Sequence, residues 1–251
     1  PACAHFMACG GCAVQHLSDE TYRGWKRDQV VQHLGRVGLG EGPVAELHPA
    51  APGTRRRADF VLRRIGAKLI AGFHERASNR IVELSECPVL LPEIFALLEP
   101  LRSLFEPVLK PGEGVDCVVN ALDNGLDMLL RLPAHPGLGF RESLAAFAET
   151  RDLARLSYLA GDETLTDAVP VAERRRPEIR FGGTPVTPPP GAFLQAVPAM
   201  EEAMAGLVTA HMAKSKRVAD LYAGCGTFAL RLAKASTVHA VEGDGPALSA
   251  L

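Results

Sequence analysis

Three cysteines near the start of the chain, Cys3, Cys9 and Cys12, constrain its fold more than any other feature. Their spacing is C-x5-C-x2-C, and Gly10 and Gly11 fill the short gap. A C-x2-C pair can turn tightly enough for two thiolates to converge on one metal centre. Glycines in the gap let backbone amides approach the sulfurs unobstructed. Cys87 offers a fourth ligand, in Glu86-Cys87-Pro88. Proline directly after a ligand cysteine recurs in iron–sulfur sites and stiffens the chain where it meets the metal. Three readings stay open on spacing: inert buried thiols, structural zinc on four cysteines or with His5 replacing one, and an iron–sulfur cluster. The single C-x2-C knuckle favours iron, since zinc ribbons more often use two. Cys117, inside Val115-Asp116-Cys117-Val118-Val119, reads as a small buried hydrophobe.

Six cysteines in 251 residues are too sparse for a disulfide scaffold. With 47% hydrophobic and 22% charged residues, the chain has room for one large domain or two medium ones. No run approaches the roughly 20 apolar residues of a membrane span. No basic segment followed by an apolar run opens the chain, so a soluble cytoplasmic protein is expected.

Ser18 before Asp19 and Glu20 predicts a helix start, and Tyr22, Trp25, Val30 and Leu34 recur at helical spacing until Gly38 and Gly40. From residue 55 the period becomes two. Ala58, Phe60 and Leu62 share one face of a strand, and Leu69, Ala71 and Phe73 one face of the next, with a turn near Gly66. A short strand from Arg80 to Leu84 leads into Cys87. Residues 92–105 read as a helix interrupted at Pro100. Val115–Leu122 and Leu126–Leu132 flank Asp123-Asn124-Gly125, a hairpin in which Asn-Gly supplies positive φ. A helix follows from Glu142 to Glu149. The proline-rich stretch 170–190, with a Gly182-Gly183 turn, reads as a rigid extended connector between a domain of 1–190 and a second of 191–251.

Arg55-Arg56-Arg57, with Arg63 and Arg64, and Arg174-Arg175-Arg176 form two basic runs. Each is either a solvated face or a set of contacts to phosphate oxygens. Net charge is −2, so nucleic-acid affinity would have to come from such local clusters.

Pro198 to Met212 reads as an amphipathic helix carrying Met200, Met204, Leu207 and His211, with proline in its first turn. Arg217 to Tyr222 then reads as a buried strand entering Ala223-Gly224-Cys225-Gly226-Thr227, followed by a helical stretch Phe228–Lys234 and a strand Val238–Val241 ending on Glu242. Glycines let the backbone pass close to a ligand, and an acid ending the second strand can accept hydrogen bonds from ribose hydroxyls. Gly224-x-Gly226-x-x-Ala229 also satisfies the dinucleotide fingerprint. Asp220, four residues before Gly224, instead favours the D-x-x-x-G-x-G pattern of S-adenosylmethionine (SAM) methyltransferases. Its carboxylate can order the loop against a sulfonium and an amino group. Cys225 lies in this loop and would approach the cofactor, so it reads as a small loop residue and not as a nucleophile.

Together, Cys-x5-Cys-Gly-Gly-Cys-x2-Gln-His from Cys3 to His16, the distant Cys87-Pro88, Phe193-Leu194-Gln195, and Asp220-Leu-Tyr-x-Gly-x-Gly-Thr-Phe resemble one family. That family is the iron–sulfur-containing RNA (uracil-5-)-methyltransferases, especially those acting on 23S ribosomal RNA. The resemblance implies a [4Fe-4S] cluster on Cys3, Cys9, Cys12 and Cys87, in an α+β central domain with an antiparallel sheet that helps bind RNA. It implies that the start of an α/β Rossmann-like SAM methyltransferase domain follows. It also implies SAM contacts from Gln195, from Tyr222, Gly224 and Thr227 around the loop, and from Glu242. The helix over 19–36 would pack on the methyltransferase domain. In this family a cysteine thiolate adds to carbon 6 of uracil, carbon 5 attacks the methyl group, and a carboxylate helps remove the carbon 5 proton. The segment carrying that nucleophile and base has no counterpart up to Leu251, so the chain is expected to be a truncated piece, inactive alone, of an enzyme monomeric at full length. A non-catalytic RNA-binding module and a methyltransferase of another substrate remain as alternatives.

Overall fold

Ser18 adopts extended backbone and its hydroxyl accepts a hydrogen bond from the Thr21 amide at 3.2 Å, so a helix starts where the sequence places one. This is α1 (Asp19–Arg36) of the computed structural model, which describes residues 1–40 and 42–251. None of its residues is buried.

The expected hairpin follows as β1 (Arg57–Ile65) and β2 (Lys68–His74), joined through Gly66 at φ +59°. Ala58, Phe60, Leu62, Leu69 and Ala71 enter the core, and Phe73 stacks on Phe60 with ring centroids 5.3 Å apart. β3 (Ile81–Glu83) pairs with β2. The helical stretch at 92–105 is broken, but not at Pro100. It divides into α2 (Pro92–Phe95) and α3 (Leu98–Phe105). Pro100 falls in the first turn of α3, where its missing N–H has no partner to lose.

β4 (Gly114–Leu122) and β5 (Gly125–Leu132) form the expected hairpin, with a different turn. Gly125 alone in the turn has positive φ, at 137°. Asn124 is held from outside: its side chain donates to the Arg176 carbonyl at 2.8 Å and accepts from the Glu178 amide at 3.1 Å. Tertiary hydrogen bonds override the local Asn-Gly preference. α4 (Leu138–Thr150) is longer than expected and crosses over to β6 (Arg155–Ala160), which lies parallel to β5. The sequence pattern missed β6, because Arg155 and Ser157 interrupt an otherwise apolar run that is buried throughout. The expected antiparallel sheet is therefore mixed. With β7 (Val169–Glu173) its order is β3-β2-β1-β4-β5-β6-β7. Leu98, Leu101 and Phe105 of α3 and Leu144 and Phe147 of α4 fill the core against it.

Residues 170–190 form more than an extended connector. After β7 comes a hairpin, β8 (Ile179–Phe181) and β9 (Thr184–Val186), turning at Gly182-Gly183. Ile179, Phe181 and Val186 join Ala192, Leu194, Cys225 and Ala247 in a second, smaller core. α5 (Pro198–Met212) starts at its proline. Then come β10 (Arg217–Leu221), α6 (Ala229–Leu232), β11 (Thr237–Val241), parallel to β10, and α7 (Gly245–Ala250). β10 is not the buried strand its composition suggests. Two strands cannot cover their own faces, and Leu221 is 63% exposed. α5 is also turned from its expected face: Glu201 and Ala205 are buried. Met200, Met204 and Leu207 instead line a cleft of about 340 Å³ with Lys26, Arg27 and Val30 of α1. Among the described residues no helix is long and apolar enough to cross a membrane.

Candidate functional site

The N-terminal loop docks on the open end of β2. The Gly10 amide donates to the His74 carbonyl at 2.9 Å, and Cys9 bridges to Glu75. A methyl group at Gly10 would sit 2.9 Å from that carbonyl oxygen, so a side chain is excluded there. His5 Nε2 accepts from the Ser85 amide at 2.9 Å and lies 3.0 Å from the Ser85 hydroxyl. On the opposite wall, the segment after Cys87 is clamped by residues 53–55. Gly53 donates to the Pro88 carbonyl, Arg55 to that of Val89, and Leu91 to that of Arg55.

Cys3, Cys9, Cys12 and Cys87 consequently line one cavity of about 390 Å³, with Phe6, Phe73 and Leu90 among its apolar walls. All four thiols are free and half-buried. Burial pushes the Cys9 thiol up, against the Gly11 amide that approaches its sulfur at 3.4 Å. Burial likewise raises Cys87, opposed by the amides of Val89 and Leu90. Among the described residues no three His, Cys, Asp or Glu side chains are grouped so as to hold a metal ion.

The second site lies at the carboxyl ends of β10 and β11. Tyr222, Gly224 and Gly226 all adopt positive φ, at 62°, 56° and 97°. Glycine takes this region freely, but a tyrosine there is strained. Tyr222 is 91% exposed, so no packing contact compensates. One Glu242 oxygen accepts from the Gly224 amide at 2.7 Å and the other from the Asp244 amide at 2.8 Å. These amides, Asp244 first, hold the Glu242 carboxyl below its usual range. Asp220 is shifted the other way: desolvation raises it, opposed by the Ala229 amide. Its Oδ2 is buried without a hydrogen-bond partner. Cys225 is buried and its thiol pushed up to about 11, first by burial and then by Asp244 and Glu242. It stays a protonated thiol at neutral pH.

Gln195 arrives from a strap, residues 188–196, that crosses one end of the large sheet. A row of buried polar residues holds it. Arg155 makes a bidentate pair with Asp127 at 2.7 and 2.9 Å and donates to the Pro188 carbonyl at 2.9 Å. Asn120 donates to the Ala192 carbonyl at 3.0 Å. Arg56 donates from its amide to the Ala196 carbonyl at 2.8 Å and from Nε to that of Gln195 at 2.9 Å. The register explains the row, since Asn120 stands opposite Arg57, Asp127 opposite Asn120 and Arg155 opposite Asp127.

Most of the arginine runs are thus not free surface. Arg56 is 4% exposed and pairs with Glu201 at 2.7 Å, while Arg231 reaches the other Glu201 oxygen at 3.4 Å. Period two could have located Arg56, which shares the face of Ala58, Phe60 and Leu62. Arg174 and Arg175 both pair with Asp152, and Arg176 donates to the Thr187 hydroxyl. Arg57 pairs with Asp59 at 3.3 Å, and its guanidinium lies 5.5 Å from the ring centroid of the exposed Phe193. Nothing in the sequence pattern signalled Glu201 or Arg231.

No family model matches the chain. Along its whole length it is 44% identical over 251 residues to an uncharacterized RNA methyltransferase of Mesorhizobium japonicum, spanning 58% of that protein. Over 97% of its length it is 32% identical to a 23S rRNA (uracil(1939)-C(5))-methyltransferase of Aeromonas salmonicida, spanning 56% of it. The chain therefore covers less than two thirds of these curated relatives, which are RNA methyltransferases by name. Its fold matches the crystal structure of Pyrococcus abyssi tRNA (uracil-54, C5)-methyltransferase in complex with S-adenosyl-L-homocysteine. That match has a TM-score of 0.70 at 20% identity and covers 96% of this chain and 60% of that one.

Proposed function

We propose that this chain supplies the cofactor cradle and the RNA-facing central part of a SAM-dependent RNA (uracil-5-)-methyltransferase. The observation that carries this reading is the loop after β10, where a buried Asp220 oxygen lacks a partner while Glu242 reaches across to the Gly224 amide. An unpaired buried carboxylate oxygen is costly unless a donor reaches it, and the amino group of SAM can donate to it while the sulfonium charge attracts it. Glu242 would exchange one backbone amide for the ribose hydroxyls, and Tyr222, Gly224 and Thr227 would line the cofactor, with Gln195 presented by the strap. SAM supplies the methyl group. The target is a uridine of ribosomal RNA, turned out of its stack to meet it. The thiolate that adds at carbon 6 and the base that removes the carbon 5 proton are assigned to residues outside 1–251. Cys225, buried and protonated, is unsuited to that attack.

The four cysteines fit a cluster better than a single ion. Tetrahedral zinc needs its sulfurs within about 2.3 Å of one point. Here four thiols line one cavity of about 390 Å³. A [4Fe-4S] cluster is larger and takes one thiolate at each corner. It would be held by Cys3, Cys9, Cys12 and Cys87. Titration of the anaerobically purified protein with S-adenosylhomocysteine, followed by calorimetry, tests the cofactor; iron and sulfide assays on the same sample test the cluster. Absence of binding heat sinks the first assignment, and zinc in place of iron sinks the second.

A further inference from the structure

Gln195 and Thr227 lie on separate segments, yet a continuous chain of buried charges joins their main-chain carbonyls. Arg56 Nε donates to the Gln195 carbonyl at 2.9 Å, and Arg56 Nη2 reaches Glu201 Oε2 at 2.7 Å. Glu201 Oε1 lies 3.4 Å from Arg231 Nη2, and Arg231 Nη1 donates to the Thr227 carbonyl at 2.6 Å. The three side chains come from the residue just before β1, the first turn of α5 and the short α6. Arg231 is further held by Glu202 and by Phe181, whose ring centroid is 5.5 Å from the guanidinium. We infer that Arg56, Glu201 and Arg231 are positioning residues that set the spacing between the Gln195 strap and the Thr227 turn, and so pre-form the SAM site.

A buried Arg–Glu–Arg set gains Coulomb energy but loses hydration of all three ions, and well-packed apolar residues often hold a core equally well. Apolar residues cannot donate to a main-chain carbonyl and a carboxylate at once. Guanidinium can, because its planar fork points several N–H groups in set directions. One carboxylate between two such forks then fixes their separation. Cofactor sites lose affinity steeply when flanking segments shift by even about 1 Å.

This inference rests on the loop being a SAM site, and one experiment separates the two. S-adenosylhomocysteine affinity is measured by calorimetry, and melting temperature without ligand by scanning calorimetry, on the intact protein and three variants. The triple variant Arg56→Met, Glu201→Leu, Arg231→Met is expected to melt within a few degrees of the parent but to bind about tenfold or more weakly. Arg56→Lys keeps the charge opposite Glu201 but lacks the second fork, so it is expected to bind several-fold weaker at unchanged melting temperature. Glu201→Gln should also bind several-fold more weakly, and it should melt lower, because it takes away the charge that Arg56 and Arg231 share. If the triple variant fails to fold, the two conservative variants decide alone. Parent-like affinity in variants that fold overturns the positioning role. No binding by the parent protein overturns the SAM reading itself, and the inference with it.

Discussion

Arg56 and Glu201 meet at 2.7 Å with side chains only 5% and 3% exposed, joining positions 145 residues apart in sequence. Removing one partner leaves the other buried and uncompensated. Glu201→Ala strands two guanidiniums against each other and is expected to cost about 3–5 kcal/mol in denaturant unfolding. Asp59→Ala, which removes the exposed partner of Arg57, should stay within about 0.5 kcal/mol of the parent. Equal costs for the two would show that the Arg56 pair is hydrated in solution.

Gly10 carries the cysteine turn onto β2, and an added methyl group would press on the His74 carbonyl oxygen at 2.9 Å and on Arg76 Cα at 3.4 Å. Backbone atoms cannot swing aside as a long side chain can. If the four cysteines hold the proposed cluster, Gly10→Ala is expected to lower iron and sulfide content per chain at least severalfold while the large sheet keeps its circular dichroism. Gly24→Ala, in the middle of α1 with nothing within 4 Å, serves as the control. It should load iron normally and stabilise the helix by roughly 0.5–1 kcal/mol. Full loading of Gly10→Ala would mean that the turn does not dock as described.

Asp152 accepts hydrogen bonds from Arg175 and Arg174, which together hold its carboxyl down to about 2. Because the folded value is lower than the ordinary 3.8, the stabilisation is fully present above about pH 4 and disappears as pH falls through about 2. Asp152 also has φ +51°, which asparagine tolerates well, so Asp152→Asn removes the charge with the backbone unchanged. The two proteins should differ in stability at pH 6 and converge near pH 2. A carboxyl carbon resonance of Asp152 that titrates near 4 would contradict the pairing.

Asp220 titrates above the ordinary aspartate value through desolvation. A raised carboxyl opposes folding once it ionises, so Asp220→Asn is not expected to destabilise the ligand-free chain. Cofactor binding has the opposite dependence if the ionised form meets the ammonium and sulfonium. Affinity for SAM should then fall as pH drops through the raised Asp220 value, and Asp220→Asn should bind it more weakly with that acid limb flattened. An unchanged limb in the variant would assign it to another group.

Local signals were enough to read much of this architecture. Ser18 marked α1, Pro198 marked α5, and period two marked β1 and β2, because in each case neighbours in sequence set the geometry. The reading failed where distant residues decide. Asn124 gives up a primed turn to hold Arg176 and Glu178. Arg155 and Ser157 look wrong for a buried strand until Asp127 and the strap partner Arg155. Arg56, one of three consecutive arginines, looked like surface and became the centre of a buried network. At the candidate site, the four cysteines were legible by spacing and do line one cavity. The loop residues were legible by motif, and the structure brings Gly224 and Glu242 within 2.7 Å. What joins Gln195 to that loop could not be read, since it passes through α5 and α6 side chains with no motif of their own.

Tyr222 holds left-handed backbone at φ 62° while its side chain is almost wholly in solvent. For a residue with a Cβ that conformation costs roughly 1–2 kcal/mol, and here no burial offsets it. Glycine at this position removes the strain and gives back about 0.5–1 kcal/mol in greater freedom of the unfolded chain. Tyr222→Gly should therefore stabilise the ligand-free protein by up to about 1 kcal/mol. If the ring is kept to lie against the cofactor, the same change should weaken S-adenosylhomocysteine binding at least severalfold, and Tyr222→Phe should restore it. Thermal melts and calorimetry on the three proteins check both halves. A glycine variant that is less stable than the parent would mean that Tyr222 is packed in solution, and a stabilised variant with parent-like affinity would leave the strain without a function at this site.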